Sequence, residues 1–155
     1  MKPLKVVKYL VVHCVSNRCD RPFSVESLIN CGKQKYGQVS YHYYVRYDGS
    51  VIPLLPESVQ GIHVKGYNWC SLGIVYEGGL DENGHPADTR TEAQKHSLYE
   101  LLKELTADYP DARILGHREF PRVHKDCPCY FPSKEYSQLQ PDAHQDRAKI
   151  IPLNP

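Results

Sequence analysis

The chain has 155 residues, of which 41% are hydrophobic and 24% are charged, and this size and composition fit one globular domain. The 19 basic and 18 acidic residues leave a formal net charge of +1, which argues against binding nucleic acid by neutralising its phosphates. The sequence has no apolar run near the roughly 20 residues of a membrane-spanning helix, and no signal-peptide pattern. We therefore expect neither membrane insertion nor export.

The first part of the chain predicts a strand, a helix and a hairpin. Residues 5–15 are rich in β-branched side chains, which favour a mostly buried strand. Ser24 can cap a helix that runs to about Lys35. Residues 41–47 and 51–54 flank Asp48-Gly49, which is a strong turn signal, so we expect a β-hairpin.

The later part predicts a strand, the longest helix and a last strand. Residues 71–77 favour a buried strand, and the capping-box pattern of residues 91–94 opens a helix that ends before Pro110. Residues 112–115 predict a short strand that delivers His117 to its exposed end. Because strands and helices interleave, we predict an α/β fold with a central mixed β-sheet flanked by α-helices. We place the domain at residues 1–138 and a loosely packed C-terminal tail at 139–155.

Six cysteines lie at positions 14, 19, 31, 70, 127 and 129. In a chain of this length without a signal peptide, an even number does not by itself indicate a disulfide framework. We expect reduced thiols. The exception to consider is Cys14 with Cys19, which could pair across a loop in an oxidising compartment.

Three potential metal ligands lie at predicted strand ends or in the loop beyond. They are His13, His117 and Cys127. Zinc favours imidazole nitrogen and thiolate sulfur, and a catalytic zinc site uses three protein ligands and leaves a fourth position for water. Ligands this far apart in sequence carry no local signature, so each residue alone also fits a structural role: a core histidine, a surface turn, a buried thiol.

The segments taken together resemble the N-acetylmuramoyl-L-alanine amidase family that includes phage lysozymes and peptidoglycan recognition proteins. The resemblance covers roughly residues 5–132. It is carried, in the family's order, by VVHC (11–14), SYHYYVRYDGSV (40–51), GIHVKGYNWCSLGIVYEGG (61–79), TEAQ (91–94), GHRE (116–119) and KDCP (125–128).

The resemblance implies a role for particular side chains. In this family the histidine that ends the first strand, the histidine of the GHRE-like segment and the cysteine of the KxCP segment bind one zinc ion, which points to His13, His117 and Cys127. It also implies that Tyr41 and Lys125 assist catalysis. Without the resemblance, Tyr41 would be taken for a packed strand aromatic and Lys125 for a solvated loop lysine.

The family's cleft wall corresponds to a segment of this chain that includes His63, Lys65, Tyr67 and Asn68. The resemblance implies that these residues contact substrate, with His63 nearest the metal. A purely structural His63 is the alternative.

The implied chemistry is hydrolysis of an amide. Zinc lowers the pKa of a bound water from about 15.7 toward about 7 and polarises a carbonyl oxygen. Lys125 and Tyr41 could then stabilise the oxyanion, each such donor being worth roughly 2.7 to 4 kcal/mol. The group that takes the proton from water stays open.

The expected function is therefore cleavage of the bond between N-acetylmuramic acid and L-alanine in bacterial peptidoglycan, by a lysin or a wall-remodelling or recycling enzyme. We expect a monomer. Without an export signal, we expect it to stay in the cytoplasm until it is released and then to act on the cell wall. One alternative is a recognition module that binds peptidoglycan or muropeptides without cutting them. Another is a structural zinc site, completed by Cys129 or His124 as a fourth ligand.

Overall fold

The computed structural model describes residues 1–143. In chain order its strands and α-helices are β1 (Tyr9–Cys14), β2 (Asn17–Arg18), α1 (Val25–Tyr36), β3 (Tyr43–Val45), β4 (Val51–Pro53), β5 (Ser71–Tyr76), β6 (Gly79–Leu80), α2 (Glu92–Asp108), β7 (Arg113–Gly116) and α3 (Pro132–Glu135). Three short 3-10 helices cover Asn68–Cys70, His117–Glu119 and Ser137–Leu139. None of the helices in residues 1–143 combines the length and the apolarity that crossing a membrane requires.

The main sheet has five strands in the order β4-β3-β5-β1-β7. Strands β1, β3, β5 and β7 run parallel, and β4 pairs antiparallel with β3 through the predicted hairpin. The predicted central mixed sheet is thus confirmed. A separate two-stranded parallel ladder joins β2 to β6.

Strand β1 lies at the centre of the sheet, and its alternating side chains face two different layers. Leu10 and Val12 belong to the larger core cluster, where the leucines of α2 pack. Val11 and His13 point to the opposite face, the side on which Leu28 of α1 packs against the sheet. Because both faces of β1 are covered by other elements, its sequence is almost continuously apolar, as is usual for parallel strands.

The two long helices begin where the sequence predicts. Ser24 caps α1 by accepting a hydrogen bond from the Ser27 backbone N–H. Thr91 and Gln94 form a complete capping box at the start of α2. The buried face of α2 carries Leu98, Leu101, Leu102 and Leu105, which confirms the predicted leucine stripe.

Some element bounds differ from the predictions. Strand β1 is shorter than residues 5–15 because its partners β5 and β7 begin opposite Tyr9. Strand β3 is also shorter than predicted, and β2, β6 and α3 were not predicted at all. Of the predicted tail, residues 144–155 lie outside the described residues.

The first residues of that tail are not loosely packed. Gln140 is buried, its amide donates to the backbone oxygen of Ile114, and its carbonyl accepts from the Ile114 N–H. This side chain therefore adds a pair of ladder-like hydrogen bonds to the free edge of β7. The predicted domain boundary at residue 138 stays a prediction.

Candidate metal centre

His13 lies near the carboxyl end of the central strand and is 1% exposed. Its ring stacks edgewise near two other rings, with centroid distances of 5.1 Å to Tyr41 and 5.0 Å to His63. The His117 ring lies 4.7 Å away by the same measure. The site thus begins with a histidine whose strand position is paired with Val75 of β5.

His117 follows the last strand directly and is half-buried. The turn that carries it is fixed by Glu119, whose carboxylate accepts hydrogen bonds from the Gly116 and Ser133 backbone N–H groups. A Cβ atom at Gly116 would lie 2.8 Å from Pro128 Cδ, so a residue with a side chain would push the following loop away. The loop and the strand end therefore pack closely because position 116 is glycine.

Cys127 lies in the loop that packs on Gly116. Its backbone oxygen accepts a hydrogen bond of 2.9 Å from the Arg118 N–H, which ties the loop to the turn that carries His117. Its Sγ accepts a hydrogen bond of 3.2 Å from the Cys14 backbone N–H. Hydrogen bonds from the Cys14 side chain and backbone lower the pKa of Cys127 despite its burial. This lowered pKa raises the fraction of thiolate, which is the form that binds metals.

Side-chain donor atoms of His13, His117 and Cys127 all lie within 4.8 Å of one another. Two imidazoles and one thiolate suit zinc, and three protein ligands leave room for water. Cys129 and His124 do not belong to this donor group within residues 1–143, which disfavours a closed structural site.

Both histidines are set up to be neutral. Burial, followed by the nearby His63, His117 and Lys125, lowers the pKa of His13 far below its ordinary value. Burial and then the Lys125 charge lower the pKa of His117 to about 4. A neutral imidazole has a free lone pair, so near pH 7 each ring can act as a ligand.

Residues 3–130 match the family described as N-acetylmuramoyl-L-alanine amidase. The chain belongs to this family. It is 33% identical over 122 residues to the endolysin of Klebsiella phage KP32, a match that covers 78% of this chain and 80% of that one. The family and this relative support N-acetylmuramoyl-L-alanine amidase activity.

Solved structures agree on the fold. The N-acetylmuramoyl-L-alanine amidase LysC from Clostridium intestinale URNW matches with a TM-score of 0.70 at 23% identity, covering 85% of this chain and 83% of that one. Human PGRP-IBETAC in complex with glycosamyl muramyl pentapeptide matches with a TM-score of 0.63 at 20% identity, covering 78% and 77%. The predicted architecture of the amidase family is thereby confirmed.

The two residues expected to assist catalysis both lie near the metal-donor group of this family member. Tyr41 packs against the His13 ring, and burial, followed by Cys127 and Cys14, raises the pKa of its phenol well above the ordinary value. It therefore keeps its proton and can donate a hydrogen bond. Lys125 is exposed and lines the same cleft as His117.

That cleft has a volume of about 870 Å³ and opens beside His117. Two of the predicted substrate residues, Lys65 and Tyr67, line it. The sequence-based prediction missed Trp69, which is 49% exposed, and Arg122, although both also line the cleft. Trp69 directly follows the last predicted cleft-wall residue, Asn68, so its position next to that segment was the available signal.

The other two predicted substrate residues, His63 and Asn68, do not line the cleft. The Asn68 side-chain oxygen accepts hydrogen bonds of 2.9 Å from the backbone N–H groups of His63 and Val64, so it holds the loop. His63 is 9% exposed and lies 2.9 Å from His13, measured between His63 Nδ1 and His13 Nε2. Substrate contact by these residues stays a prediction, and both His63 ring nitrogens and the Asn68 side-chain oxygen already have partners.

The six cysteines are all free thiols. Cys14 packs in the larger core cluster, on the sheet face opposite His13, as the strand alternation predicts. It is nonetheless close to the site, because its backbone N–H donates a hydrogen bond to Cys127 Sγ. Cys129 has a left-handed backbone with φ of 72°, and its thiol donates to the Gly79 backbone oxygen over 3.4 Å.

Proposed function

We propose that this chain is a zinc-dependent amidase that hydrolyses the bond between N-acetylmuramic acid and L-alanine in peptidoglycan. The proposal is carried by one observation: three neutral or anionic donors of the type zinc prefers converge beside an open cleft. His13, His117 and Cys127 would hold the ion. When bound, zinc supplies a Lewis acid for the amide carbonyl and an acidified water at its open position.

The chain's own residues then bind the substrate and stabilise charge. Lys65, Tyr67 and Trp69 line the wall along which a muropeptide lies. Addition of water to the amide carbonyl, with loss of one proton from that water, places negative charge on the carbonyl oxygen. The Lys125 ammonium and the Tyr41 hydroxyl donate hydrogen bonds to that oxygen, which lowers the barrier because preorganised donors need no rearrangement. Collapse of this adduct breaks the C–N bond, and the leaving nitrogen takes up a proton.

A peptidoglycan-binding module without catalysis is the alternative function, and the recognition-protein structure matched above is bound to a muramyl peptide. The complete donor group favours catalysis for this chain, since a module that only binds needs no metal with an open position. We further propose that the chain works as a monomer. It would act on the cell wall after release from the cell that makes it, as endolysins do.

The deciding experiment combines metal analysis with product analysis. Purified protein is expected to hold one zinc ion per chain and to release the stem peptide from muropeptides, with the products identified by mass. His13→Ala and His117→Ala should each lose zinc and activity together. An active variant that lacks either histidine would show that the donor group is assigned wrongly, and zinc binding without any product would favour the recognition module.

A further inference from the structure

One of the two ring nitrogens of His13 forms a hydrogen bond within the protein. Its Nε2 lies 2.9 Å from His63 Nδ1, and this hydrogen bond is buried. Distance alone does not say which ring donates. The answer depends on the partner of the other His63 nitrogen, Nε2.

Ser71 supplies that partner and settles the direction. Its hydroxyl donates its single proton to the Tyr67 backbone oxygen over 2.7 Å. The Ser71 oxygen, 3.3 Å from His63 Nε2, is therefore left as an acceptor for the His63 Nε2–H. With its proton on Nε2, His63 presents a bare Nδ1, which accepts from the His13 Nε2–H. The remaining nitrogen of His13, Nδ1, then carries a lone pair and no proton.

Packing holds this chain of hydrogen bonds in place. Gly73 lies opposite Val11 in the sheet, and a Cβ atom on it would be 2.8 Å from the Cγ atom of the His63 ring. Asn68 fixes the His63 backbone from the other side. The His63 ring thus lies between Gly73 on one side and the loop fixed by Asn68 on the other, and this packing restricts its rotation.

We propose that His63 is a positioning residue that fixes the tautomer of His13, so that His13 Nδ1 faces the metal-donor group as an unprotonated nitrogen. The proposal rests on the proposed function in one respect, that His13 is a zinc ligand. Metal-binding histidines generally donate their second N–H to an outer partner that sets ring orientation. Here that partner is another imidazole, itself oriented by Ser71.

This role differs from the substrate contact predicted for His63 from the resemblance. Both of its ring nitrogens have partners inside the protein, and the residue does not line the cleft. A hydrogen bond from His63 to substrate would require it to break one of those hydrogen bonds. Its effect on the reaction should therefore pass through His13.

The first test is spectroscopic and needs no zinc. In metal-free protein labelled with 15N-histidine, His13 should appear as the Nε2–H tautomer, with Nδ1 unprotonated. Ser71→Ala and His63→Leu should convert that signal to a mixture of tautomers. A His13 ring protonated on Nδ1 in the unaltered protein would overturn the proposal.

The second test uses side chains that replace one His63 nitrogen at a time. His63→Asn places an oxygen acceptor near the position of Nδ1, toward His13, whereas His63→Gln places its polar group near Nε2, toward Ser71. Zinc affinity is measured by competition with a chromophoric chelator. We expect His63→Leu and His63→Gln to weaken zinc binding by roughly 10- to 100-fold relative to the unaltered protein. His63→Asn should keep most of the original zinc affinity.

Comparison of His63→Asn with His63→Gln separates a positioning role of His63 from a packing role. If His63 only fills space, the larger glutamine should serve at least as well as asparagine, and that result would refute the proposal. Unchanged zinc affinity in His63→Leu would refute it as well. If the unaltered protein binds no zinc but His13 still shows the Nε2–H tautomer, the proposed function fails while the tautomer assignment stands.

Discussion

Gly73→Ala should displace the His63 ring and so weaken zinc binding, although position 73 itself supplies no polar side chain. The new Cβ atom would lie 2.8 Å from His63 Cγ and 2.9 Å from Cδ2, whereas ordinary contact begins at 3.4 Å. The strand cannot retreat, because Gly73 donates to His42 Nδ1 and accepts from the His42 N–H on one side and is paired with Val11 of β1 on the other. The His63 ring must therefore move by several tenths of an ångström.

The cost of that movement has two parts. Overpacking a filled core typically costs about 1–3 kcal/mol, which for a chain of this size lowers Tm by about 2–12 °C. The displaced ring also loses the good geometry of its hydrogen bond to His13. Zinc affinity should then fall by roughly tenfold or more, although position 73 touches no metal donor.

The assay is urea unfolding of metal-free protein in a double-mutant cycle with His63→Ala. Gly73→Ala should cost about 1–3 kcal/mol in the unaltered protein and should be neutral to slightly stabilising in the His63→Ala background, where the methyl group enters vacated space. A slight gain is even expected there, since alanine suits a strand better than glycine. An equal cost in both backgrounds would refute the explanation by a clash with His63.

Three further predictions concern the chemistry of the site. Lys125→Ala and Tyr41→Phe should keep zinc and fold while losing turnover by roughly tens to a thousand-fold, and near-normal rates would show that other groups stabilise the oxyanion. Cys127→Ser should lose zinc and hydrolysis whereas Cys129→Ser keeps both, as metal analysis and muropeptide assays would show; loss in Cys129→Ser would mean that the two thiols act together. Burial lowers the pKa of His63 from 6.5 to about 3. Below pH 6.5 the metal-free chain therefore binds a proton at His63 when unfolded but not when folded, so its stability decreases as the pH is lowered. Urea unfolding between pH 7 and 4 should show a shallower fall in His63→Asn, by up to about 1.4 kcal/mol per pH unit, and identical slopes would contradict the shift.

Long, regular patterns made most of the fold predictable. The capping box at Thr91 and the leucine stripe of α2 are local signals, and so is the Asp48-Gly49 hairpin. Each depends on residues a few positions apart, so no knowledge of the tertiary structure was needed. The two-residue strands β2 and β6 are too short to show any alternation, which explains why they were not predicted.

The metal donors were predictable in another way, through a resemblance that spans the chain, and the structure then brought their atoms together. The hydrogen bonds from Ser71 through His63 to His13 could not be predicted from the sequence in this way. His63 and His13 are 50 positions apart, and their contact depends on a missing side chain at Gly73 and on which acceptor Ser71 chooses. Such details follow from packing across the sheet, and no pattern within one segment reports them.

The place of β1 in the sheet affects how the protein is made. This strand leaves the ribosome before both of its neighbours, which come much later in the chain, β5 from Ser71 and β7 from Arg113. Until Gly116 has emerged, the apolar segment of β1 has at least one open edge and can pair with other chains. The parallel, long-range pairings also make folding slow. Fragments that stop before β7 should therefore aggregate, and expression trials with shortened chains would reveal it.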